Sequence, residues 1–213
     1  MLKNKTVLNL SPLALLTLAA CGGGTTSGGG LGSGTPPTPT FSASSGKVED
    51  GPLQNAIAFL DYNNNGILDV GEPSERTGAD GSYSLTPTQA NYSIVAVTDE
   101  TTFDTISQSF VPGITLKAPS NSSMVTPTTT LMEDGGLTAE QVVKVLGLPE
   151  GMDPMTFSAH AVGVDPDKAL AVELANQQIL SVVNSFAATA EGSGVSEAAA
   201  FSAALMSLAE EIK

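Results

Sequence analysis

Cysteine, histidine and tryptophan are almost absent from this chain of 213 residues, which has one cysteine, one histidine and no tryptophan. The lone cysteine, Cys21, excludes an intramolecular disulfide, and the sequence has no Cys/His cluster of the kind that binds zinc. His160 would need partners from elsewhere in the fold to act as a catalytic base or metal ligand, because Asp153 and Asp165 are near it only in sequence. We therefore interpret His160 as a surface or loop residue.

Basic residues are also scarce: 8 Lys and Arg stand against 22 Asp and Glu, which gives a formal net charge of −14 at pH 7. This excess of negative charge disfavours binding to nucleic acid, and it disfavours a polybasic surface that binds lipid. It is compatible with binding of divalent cations. The sequence has no phosphate-binding loop and no nucleophile motif, so it predicts a protein that is not an enzyme.

The chain also lacks an apolar run long enough to be a convincing membrane span. Its N-terminus has a short basic start, Met1–Lys5, followed by a mostly apolar run, Thr6–Ala20, which polar residues and Pro12 interrupt. This arrangement is typical of a secretory signal peptide. We predict that residues 1–20 form such a signal.

The predicted signal leads into Leu18-Ala19-Ala20-Cys21, which resembles the lipobox of bacterial lipoproteins. The resemblance implies cleavage before Cys21 and attachment of lipid to its sulfur and to the new amino group. Several acyl chains make such an anchor stable, since one chain alone binds a membrane only marginally. The resemblance also implies, if the host is Gram-negative, that Gly22 in place of an aspartate after the cysteine favours the outer membrane or cell surface. We therefore expect a lipid-anchored protein of the cell envelope.

Residues 21–45 form a tract rich in Gly, Ser, Thr and Pro, with two runs of three glycines and a Pro-Pro-Thr-Pro segment. Such a tract has too few apolar groups to form a core, and its composition predicts a disordered tether. We expect the folded part to begin near residue 46.

Residues 61–72 match the twelve-residue calcium loop D-x-[DN]-x-[DN]-G-x5-E at every defined position. Calcium takes about six to eight oxygen ligands, which this pattern supplies from side chains and from one backbone carbonyl. Gly66 permits the sharp turn between the two halves of the loop. The predicted calcium ligands are Asp61, Asn63, Asn65, Ile67 through its carbonyl, Asp69 and Glu72.

The residues around this loop predict what kind of site it forms. A hairpin turn that binds nothing would have a similar composition, because Asn, Asp and Gly are favoured in turns. Asp80 could add a ligand from the next turn, although a turn-stabilising role beside Gly81 is the simpler interpretation. The short apolar run Ala56–Leu60 before the loop, and Pro73 with two glycines after it, predict flanking strands instead of helices. We interpret the loop as a structural calcium clip and not as a regulatory switch.

Residues 46–118 contain short alternating segments separated by turns. Strands at intervals of about ten residues predict a small antiparallel β-sandwich. The candidate strands are Gly46–Leu53, Ala56–Leu60, Ala79–Leu85, Tyr92–Val97 and Ile114–Leu116.

Three stretches of this region resemble a known family. Val48–Ala56, then Phe59-Leu60-Asp61 with the Asn/Gly loop, then Asp80–Leu85 are similar to the B-type repeat of bacterial surface adhesins. They also resemble carboxypeptidase-regulatory-like and transthyretin-like modules. The resemblance implies a stalk or accessory domain without catalysis, which calcium rigidifies in many members. It carries the calcium ligands over to Asp61, Asn63, Asn65, Asp69 and Glu72.

Residues 119–213 carry helical signals. We expect Thr128 or Thr129 to cap a short helix. Thr138–Leu146 opens with capping-box spacing, and Asp165-Pro166-Asp167 is a strong helix start. The two long helices that follow are predicted to form an antiparallel hairpin. Their apolar stripes are Val172, Ala175, Ile179, Val183 and Phe186 in the first, and Phe201, Leu205, Leu208 and Ile212 in the second.

Taken together, these patterns predict an α+β protein, with a small antiparallel β-sandwich of Ig or transthyretin type over residues 46–118 and an α-helical domain over residues 119–213. We expect a lipid-anchored, calcium-stabilised envelope protein that binds or scaffolds a protein or polysaccharide ligand at the cell surface. One alternative is a secreted calcium-dependent enzyme, or its accessory domain, that acts on polysaccharide or peptide. Another is the membrane-proximal segment of a larger adhesin.

Overall fold

The computed structural model describes residues 40–191 and, beyond them, residues 203, 204, 206, 207 and 210. The β-strands come first along the chain and the α-helices follow, so the protein belongs to the α+β class, as predicted. The described residues belong to one compact unit. The elements are β1 (Ser44–Val48), β2 (Leu53–Gln54), β3 (Ile57–Asp61), β4 (Ser74–Arg76), β5 (Ser82–Leu85), β6 (Ser93–Val97), β7 (Phe103–Asp104), β8 (Ser109–Phe110), β9 (Thr115–Pro119), β10 (Met124–Val125), α1 (Pro127–Gly135), α2 (Ala139–Val145) and α3 (Pro166–Glu191).

Two larger sheets make up most of the β part. The first has four antiparallel strands in the order β4-β3-β6-β9, and the second has three strands in the order β10-β1-β5. In the second sheet β1 pairs with β5 in antiparallel fashion and with β10 in parallel. A third, small sheet has the order β2-β7-β8.

One hydrophobic core is shared by the two larger sheets. Val48 and Leu85 reach it from the second sheet, and Leu60, Ile94 and Leu116 reach it from the first. Each of these side chains is at most 4% exposed. The burial of so much aliphatic surface is the main favourable contribution to the stability of the β part.

The four-stranded sheet is buried on its second face as well. Phe59 and Val95 pair between β3 and β6, and both are fully buried although they lie outside the shared core. Helix α1 packs along the edge strand β9. Burial on both faces explains why β3 and β6 have continuous apolar sequences instead of an alternation of apolar and polar residues.

Three of the predicted strands are confirmed, whereas the segment Gly46–Leu53 forms parts of β1 and β2 with a turn between them. Ala56–Leu60, Ala79–Leu85 and Tyr92–Val97 coincide with β3, β5 and β6 to within a few residues. The strand expected at Ile114–Leu116 lies at Thr115–Pro119, shifted toward the C-terminus. The sequence does not predict β4, β7, β8 and β10, because strands of two or three residues are too short to show a period of two.

Helices α2 and α3 begin as predicted. Thr138 Oγ1 accepts a hydrogen bond from Gln141 N at 3.2 Å, and Gln141 Oε1 accepts one from Thr138 N at 2.8 Å, which completes the capping box of α2. At the start of α3, Asp165 Oδ1 accepts hydrogen bonds from the backbone N–H groups of Asp167 and Lys168. Each cap satisfies backbone donors that the first turn of a helix leaves unpaired.

The cap of α1 differs from the prediction. The N-cap is Thr126, not Thr128 or Thr129, and its Oγ1 accepts a hydrogen bond from Thr129 N at 3.1 Å. Pro127 occupies the first helical position, where the N–H that proline lacks would be unpaired in any case. The preference of proline for this position is the signal that identifies Thr126 as the cap.

Helix α1 is attached to its neighbours through threonine hydroxyls. Thr129 Oγ1 donates to Lys117 O at 2.9 Å, and Thr130 Oγ1 accepts from Lys117 N at 2.8 Å. Toward α3, Thr128 Oγ1 donates to Asn176 Oδ1 at 2.6 Å. The threonine-rich sequence of α1 therefore supplies hydrogen bonds within the fold.

Helix α3 buries the predicted apolar stripe as far as the structure describes it. The stripe residues that are at most 6% exposed are Val172, Ala175, Ile179 and Val183. The side chain of Phe186 and the stripe residues of the predicted last helix, 201, 205, 208 and 212, lie outside the described part. Residues 203, 204, 206, 207 and 210 are helical. The helical hairpin stays a prediction.

The signal peptide, Cys21 and most of the tether also lie outside the described residues, so their roles stay predictions. Strand β1 already includes Ser44 and Ser45, which the sequence assigns to the tether. Within the described part of the chain, no helix is long and apolar enough to cross a membrane.

Replacing Thr126 with alanine should lower the free energy of unfolding by about 1–2 kcal/mol, because Thr129 N loses its acceptor in a buried environment. Denaturant unfolding followed by circular dichroism measures this loss. Thr138→Ala is the matched control, since Thr138 caps α2 in the same way but is exposed to solvent. Thr138→Ala should lower the free energy of unfolding by less than Thr126→Ala does. Equal decreases in the two variants would contradict a larger contribution from the buried cap of α1.

Candidate metal centre

The predicted calcium loop, residues 61–72, joins β3 to β4, which are antiparallel neighbours in the four-stranded sheet. Asp61 is the last residue of β3, and Glu72 lies two positions before the first residue of β4. Strands therefore flank the loop on both sides, as its flanking sequence predicts. A clip at this place would hold together the ends of two paired strands.

Asp61 is fully buried at the base of the loop. Its Oδ1 accepts a hydrogen bond from Asn63 N at 3.1 Å, and its Oδ2 accepts one from Gly66 N at 2.7 Å. Gly66 has a φ of 73°, in the left-handed region that glycine adopts most readily. The predicted turn is therefore present, and it folds the loop back onto the Asp61 carboxylate.

The side chains of Asn63, Asn65 and Asp69 converge on one point. The Nδ2 atoms of Asn63 and Asn65 each donate to Asp69 Oδ2 at 2.8 Å. In addition, Asn63 Oδ1 accepts from Asn65 N at 3.0 Å, and Asn65 Oδ1 accepts from Ile67 N at 2.7 Å. Asparagine stabilises turns by such bonds to the backbone two residues on. The third, fifth and ninth positions of the loop are thus brought together.

Glu72 closes the loop. Its Oε1 accepts a hydrogen bond from Tyr62 N and its Oε2 accepts one from Asp69 N, both at 2.8 Å. The carboxylate therefore ties the beginning of the loop to its end. The calcium pattern predicts a bidentate ligand at this position. It does not predict that both oxygens accept hydrogen bonds from backbone amides. Glu72 and Asp69 also line a pocket of about 340 Å³.

Ile67 enters the calcium pattern only through its backbone. Its side chain is 64% exposed, so it does not contribute to a core. An exposed side chain is compatible with a position whose backbone carbonyl is the predicted ligand.

Asn64 attaches the loop to the sheet, a contact that the calcium pattern does not predict. Its Oδ1 accepts a hydrogen bond at 2.9 Å from the hydroxyl of Ser93, the first residue of β6. Asn64 has a φ of 58°, a left-handed conformation that asparagine adopts more often than most residues. This turn preference is the one signal in the sequence that singles out Asn64.

A nearly buried ion pair lies beside the loop. Lys117 Nζ is 2.8 Å from Asp134 Oδ1, and the two side chains are 13% and 12% exposed. A β-carbon added to Gly66 would lie 3.6 Å from Lys117 Nζ, so the turn of the loop rests against this lysine. Burial raises the pKa of the neighbouring Glu133, and the charges of Asp134 and Asp61 add to this effect, which Lys117 opposes. Negative charge therefore predominates around the turn.

The donor set of the loop fits a hard divalent cation. Carboxylate and carbonyl oxygens are the ligands that calcium prefers, and an oxygen that accepts one hydrogen bond has a further lone pair. Among the residues described, no group of three or more His, Cys, Asp or Glu side chains is assembled as a metal site. The calcium prediction therefore depends on amide and backbone oxygens as well as on carboxylates. The residues that would supply side-chain oxygens are Asp61, Asn63, Asn65, Asp69 and Glu72.

The other residues that the sequence analysis considered lie elsewhere. Asp80 Oδ1 accepts a hydrogen bond from Ser82 N at 3.3 Å and its Oδ2 lies 2.9 Å from Lys47 Nζ, so Asp80 stabilises its own turn. His160 lies on a loop, as predicted. Its side chain lies beside Glu173 and is mostly buried, with 19% of its surface exposed. Cys21, the predicted lipidation site, is outside the described residues.

Comparisons with known proteins do not extend this description. No family model, no curated protein and no solved structure matches the chain. The resemblances to adhesin repeats and to lipoprotein signals stay predictions.

Asp61→Ala should lower the free energy of unfolding of the metal-free protein by about 1.5–3 kcal/mol, because two backbone N–H groups lose a charged acceptor. Urea unfolding in the presence of a chelator measures this loss. Asp69→Ala is the matched control, since the exposed Asp69 accepts hydrogen bonds only from side chains. Asp69→Ala should lower the free energy of unfolding by only about 0.5 kcal/mol. Equal losses would contradict the assignment of Asp61 as the centre of the loop.

Proposed function

We propose that this chain is a lipid-anchored protein of the cell envelope whose β part carries a calcium clip and whose role is to bind or scaffold. The observation that carries the proposal is the convergence within the loop. Asn63 and Asn65 both contact one oxygen of Asp69, while Asp61 and Glu72 close the loop at its two ends. All five of these polar side chains form hydrogen bonds within the loop, so the oxygen-bearing residues of the calcium pattern lie close together.

The clip acts on the sheet itself. The loop begins and ends beside the paired strands β3 and β4, and Asn64 attaches it to β6. A bound calcium ion would offset the repulsion among the loop's carboxylates and stiffen the connection between these strands. Such a role suits an extracellular module, in which the cation adds stability instead of transmitting a signal.

We propose further that the two larger sheets are the layers of a small β-sandwich of the Ig or transthyretin kind. The core shared by Val48 and Leu85 on one sheet and Leu60 and Ile94 on the other supports this arrangement. A sandwich of this type agrees with the resemblance to B-type adhesin repeats. We therefore assign the module to the outer membrane or cell surface, where it would present or bind a protein or polysaccharide.

The loop carboxylates are better suited to a structural role than to catalysis. All four oxygens of Asp61 and Glu72 accept hydrogen bonds from backbone N–H groups. A general acid or base must place an oxygen within hydrogen-bond reach of a substrate proton. Carboxylates that hold the backbone in this way fix the shape of the loop, and the further lone pair on each oxygen is the one that a cation would use.

Calcium should bind the full chain with a Kd of about 10⁻⁴–10⁻³ M, the range of extracellular modules. At ten times the Kd, binding should raise the free energy of unfolding by about 1.4 kcal/mol, because the ligand binds only the folded state. Isothermal titration calorimetry measures the Kd, and thermal unfolding measures the stabilisation.

Asp61→Ala and Glu72→Ala should abolish the effect of calcium on stability. Glu100→Gln is the control, because it removes one negative charge from an exposed position outside the loop and should retain calcium binding. Magnesium should bind more weakly, since it demands a smaller and more regular set of ligands. Unchanged calcium titrations in both loop variants would exclude this site.

Lipidation at Cys21 is tested separately from calcium. In a bacterium that processes lipoproteins, the wild-type chain should incorporate a labelled fatty acid and sediment with membranes. Cys21→Ser should incorporate no label and be released, because the acyl anchor is lost. The same variant should bind calcium as the wild type does. Persistent labelling of Cys21→Ser would contradict the anchor.

A further inference from the structure

Asn65 is followed directly by Gly66, and it is the only asparagine in the sequence that precedes a glycine. The pair occupies the fifth and sixth positions of the calcium loop. Because glycine has no side chain, its backbone nitrogen is the least hindered of any residue. That nitrogen can attack the amide of the preceding asparagine, which is the usual route by which asparagine is lost spontaneously from proteins. The sequence therefore marks Asn65 as the asparagine best suited to this reaction.

The reaction at this pair is deamidation through a succinimide ring. Gly66 N loses its proton to solvent and forms a bond to Asn65 Cγ, while the bond from Cγ to Nδ2 breaks and the nitrogen leaves as ammonia. Water then opens the ring. Opening at Cγ gives aspartate, and opening at the backbone carbonyl carbon gives isoaspartate. The overall reaction consumes water and releases ammonia, so it needs no oxidant, reductant or metal.

The side chain of Asn65 is accessible to this chemistry. Asn65 is exposed to solvent, so water and hydroxide reach it. Its Oδ1 accepts a hydrogen bond from Ile67 N at 2.7 Å, and its Nδ2 donates one to Asp69 Oδ2 at 2.8 Å. Both contacts lie at the exposed surface of the loop. They orient the amide but do not cover it.

The attacking nitrogen, in contrast, is held by Asp61. Gly66 N donates to Asp61 Oδ2 at 2.7 Å, and Asp61 is fully buried at the base of the loop. The hydrogen bond directs the N–H group at the carboxylate, and the negative charge beside it disfavours loss of its proton. Gly66 N must therefore leave Asp61 before it can react, which requires the loop to open locally.

We propose that Asn65 is a deamidation site that the fold protects through the hydrogen bond from Gly66 to Asp61, and that its aspartate product makes the loop depend on a bound cation. The rate of the reaction then follows the fraction of time that the loop is open. The deamidation itself needs no metal and is independent of the proposed calcium clip. The dependence of the product on a cation rests on that clip.

The aspartate product changes the contacts of Asp69. The Nδ2 atoms of Asn63 and Asn65 both donate to Asp69 Oδ2 at 2.8 Å. After deamidation, position 65 has a carboxylate oxygen in place of its donor, so two negative groups face each other across this contact. They repel each other, and a bound calcium ion would offset the repulsion. It would also gain a charged ligand, and the number of charged ligands helps to set the affinity of such loops.

Peptide mass spectrometry of the full chain tests the site. After incubation at mildly alkaline pH, trypsin should release residues 48–76 as one peptide, because Lys47 and Arg76 are the cleavage sites that bound it. Tandem spectra then locate the gain in mass that accompanies conversion of an amide to an acid. Separation of the aspartate and isoaspartate forms by chromatography measures both products.

The same peptide contains three internal controls, Asn55, Asn63 and Asn64, none of which precedes a glycine. In guanidinium chloride, where the chain is unfolded, Asn65 should deamidate before the other three. In the native chain with a chelator, Asn65 should react at least about tenfold more slowly than in the unfolded chain, since tenfold protection corresponds to an opening free energy of only about 1.4 kcal/mol. Equal rates at all four asparagines in the unfolded chain would overturn the site. Equal rates at Asn65 in the native and unfolded chains would overturn the protection.

Asp61→Ala removes the acceptor of Gly66 N and should speed the native reaction at Asn65 at least about tenfold. Asp69→Ala is the matched control, because it releases Asn65 Nδ2 but keeps the bond between Gly66 and Asp61, so it should have a smaller effect. Glu72→Ala loosens the loop from its other end and replaces Asp61→Ala if that variant does not fold. Rates equal to the wild type in the folded Asp61→Ala or Glu72→Ala chain would overturn the protection by loop closure.

Asn65→Asp imitates the aspartate product and tests its consequence. In a chelator it should melt about 2–4 °C below the wild type, because Asp69 loses a donor and gains a repelling neighbour. Calcium should remove this deficit and bind Asn65→Asp severalfold more tightly than the wild type. Asn121→Asp adds the same charge at an exposed position outside the loop and should match the wild type in both measurements.

The outcomes separate this inference from the proposed function. If both chains bind calcium with equal affinity and Asn65→Asp melts as the wild type does, the clip stands and the dependence of the product on a cation is overturned. If neither chain binds calcium, the clip and this dependence fall together. The deamidation site then stands or falls on the mass spectra alone.

Discussion

The buried carboxylate of Asp61 is the constraint on which the calcium loop and the end of β3 both depend. A buried carboxylate is costly unless hydrogen bonds compensate for the lost water. The backbone amides of Asn63 and Gly66 provide them, and both donors belong to the loop. Strand β3 can therefore keep its last residue buried only if the loop folds back as observed. The shape of the loop is a condition for the stability of the sheet even before any cation binds.

Lys117 connects this loop to the helical part. Its backbone exchanges hydrogen bonds with Thr129 and Thr130 of α1, while its ammonium pairs with Asp134 and lies against the turn at Gly66. Lys117, in the edge strand β9, thus binds α1 through its backbone and contacts the calcium loop through its side chain. Lys117 and Asp134 are nearly buried. A change in the loop's charge would therefore alter the electrostatic energy of their ion pair more than that of an exposed ion pair.

The sequence predicts those parts of the structure that rest on local chemistry. The strand–loop–strand arrangement around residues 61–72, the capping box at Thr138 and the start of α3 at Asp165 each follow from neighbouring residues. The sequence places Glu72 in the calcium pattern but does not show that its oxygens accept from the backbone of Tyr62 and Asp69. It does not predict the pairing of Glu49 with Ser158, because this contact arises only when distant backbone segments meet. Strands of two residues also leave no periodic signal.

Two aspartates show how the same side chain serves opposite purposes in this acidic protein. Asp61 is fully buried and accepts hydrogen bonds from two backbone N–H groups of its own loop. For Asp50, in contrast, burial raises the pKa to about 7, and the charges of Asp104 and Glu173 add to this effect. An acidic composition alone therefore does not reveal which carboxylates fix the backbone of a loop and which ones burial keeps from ionising.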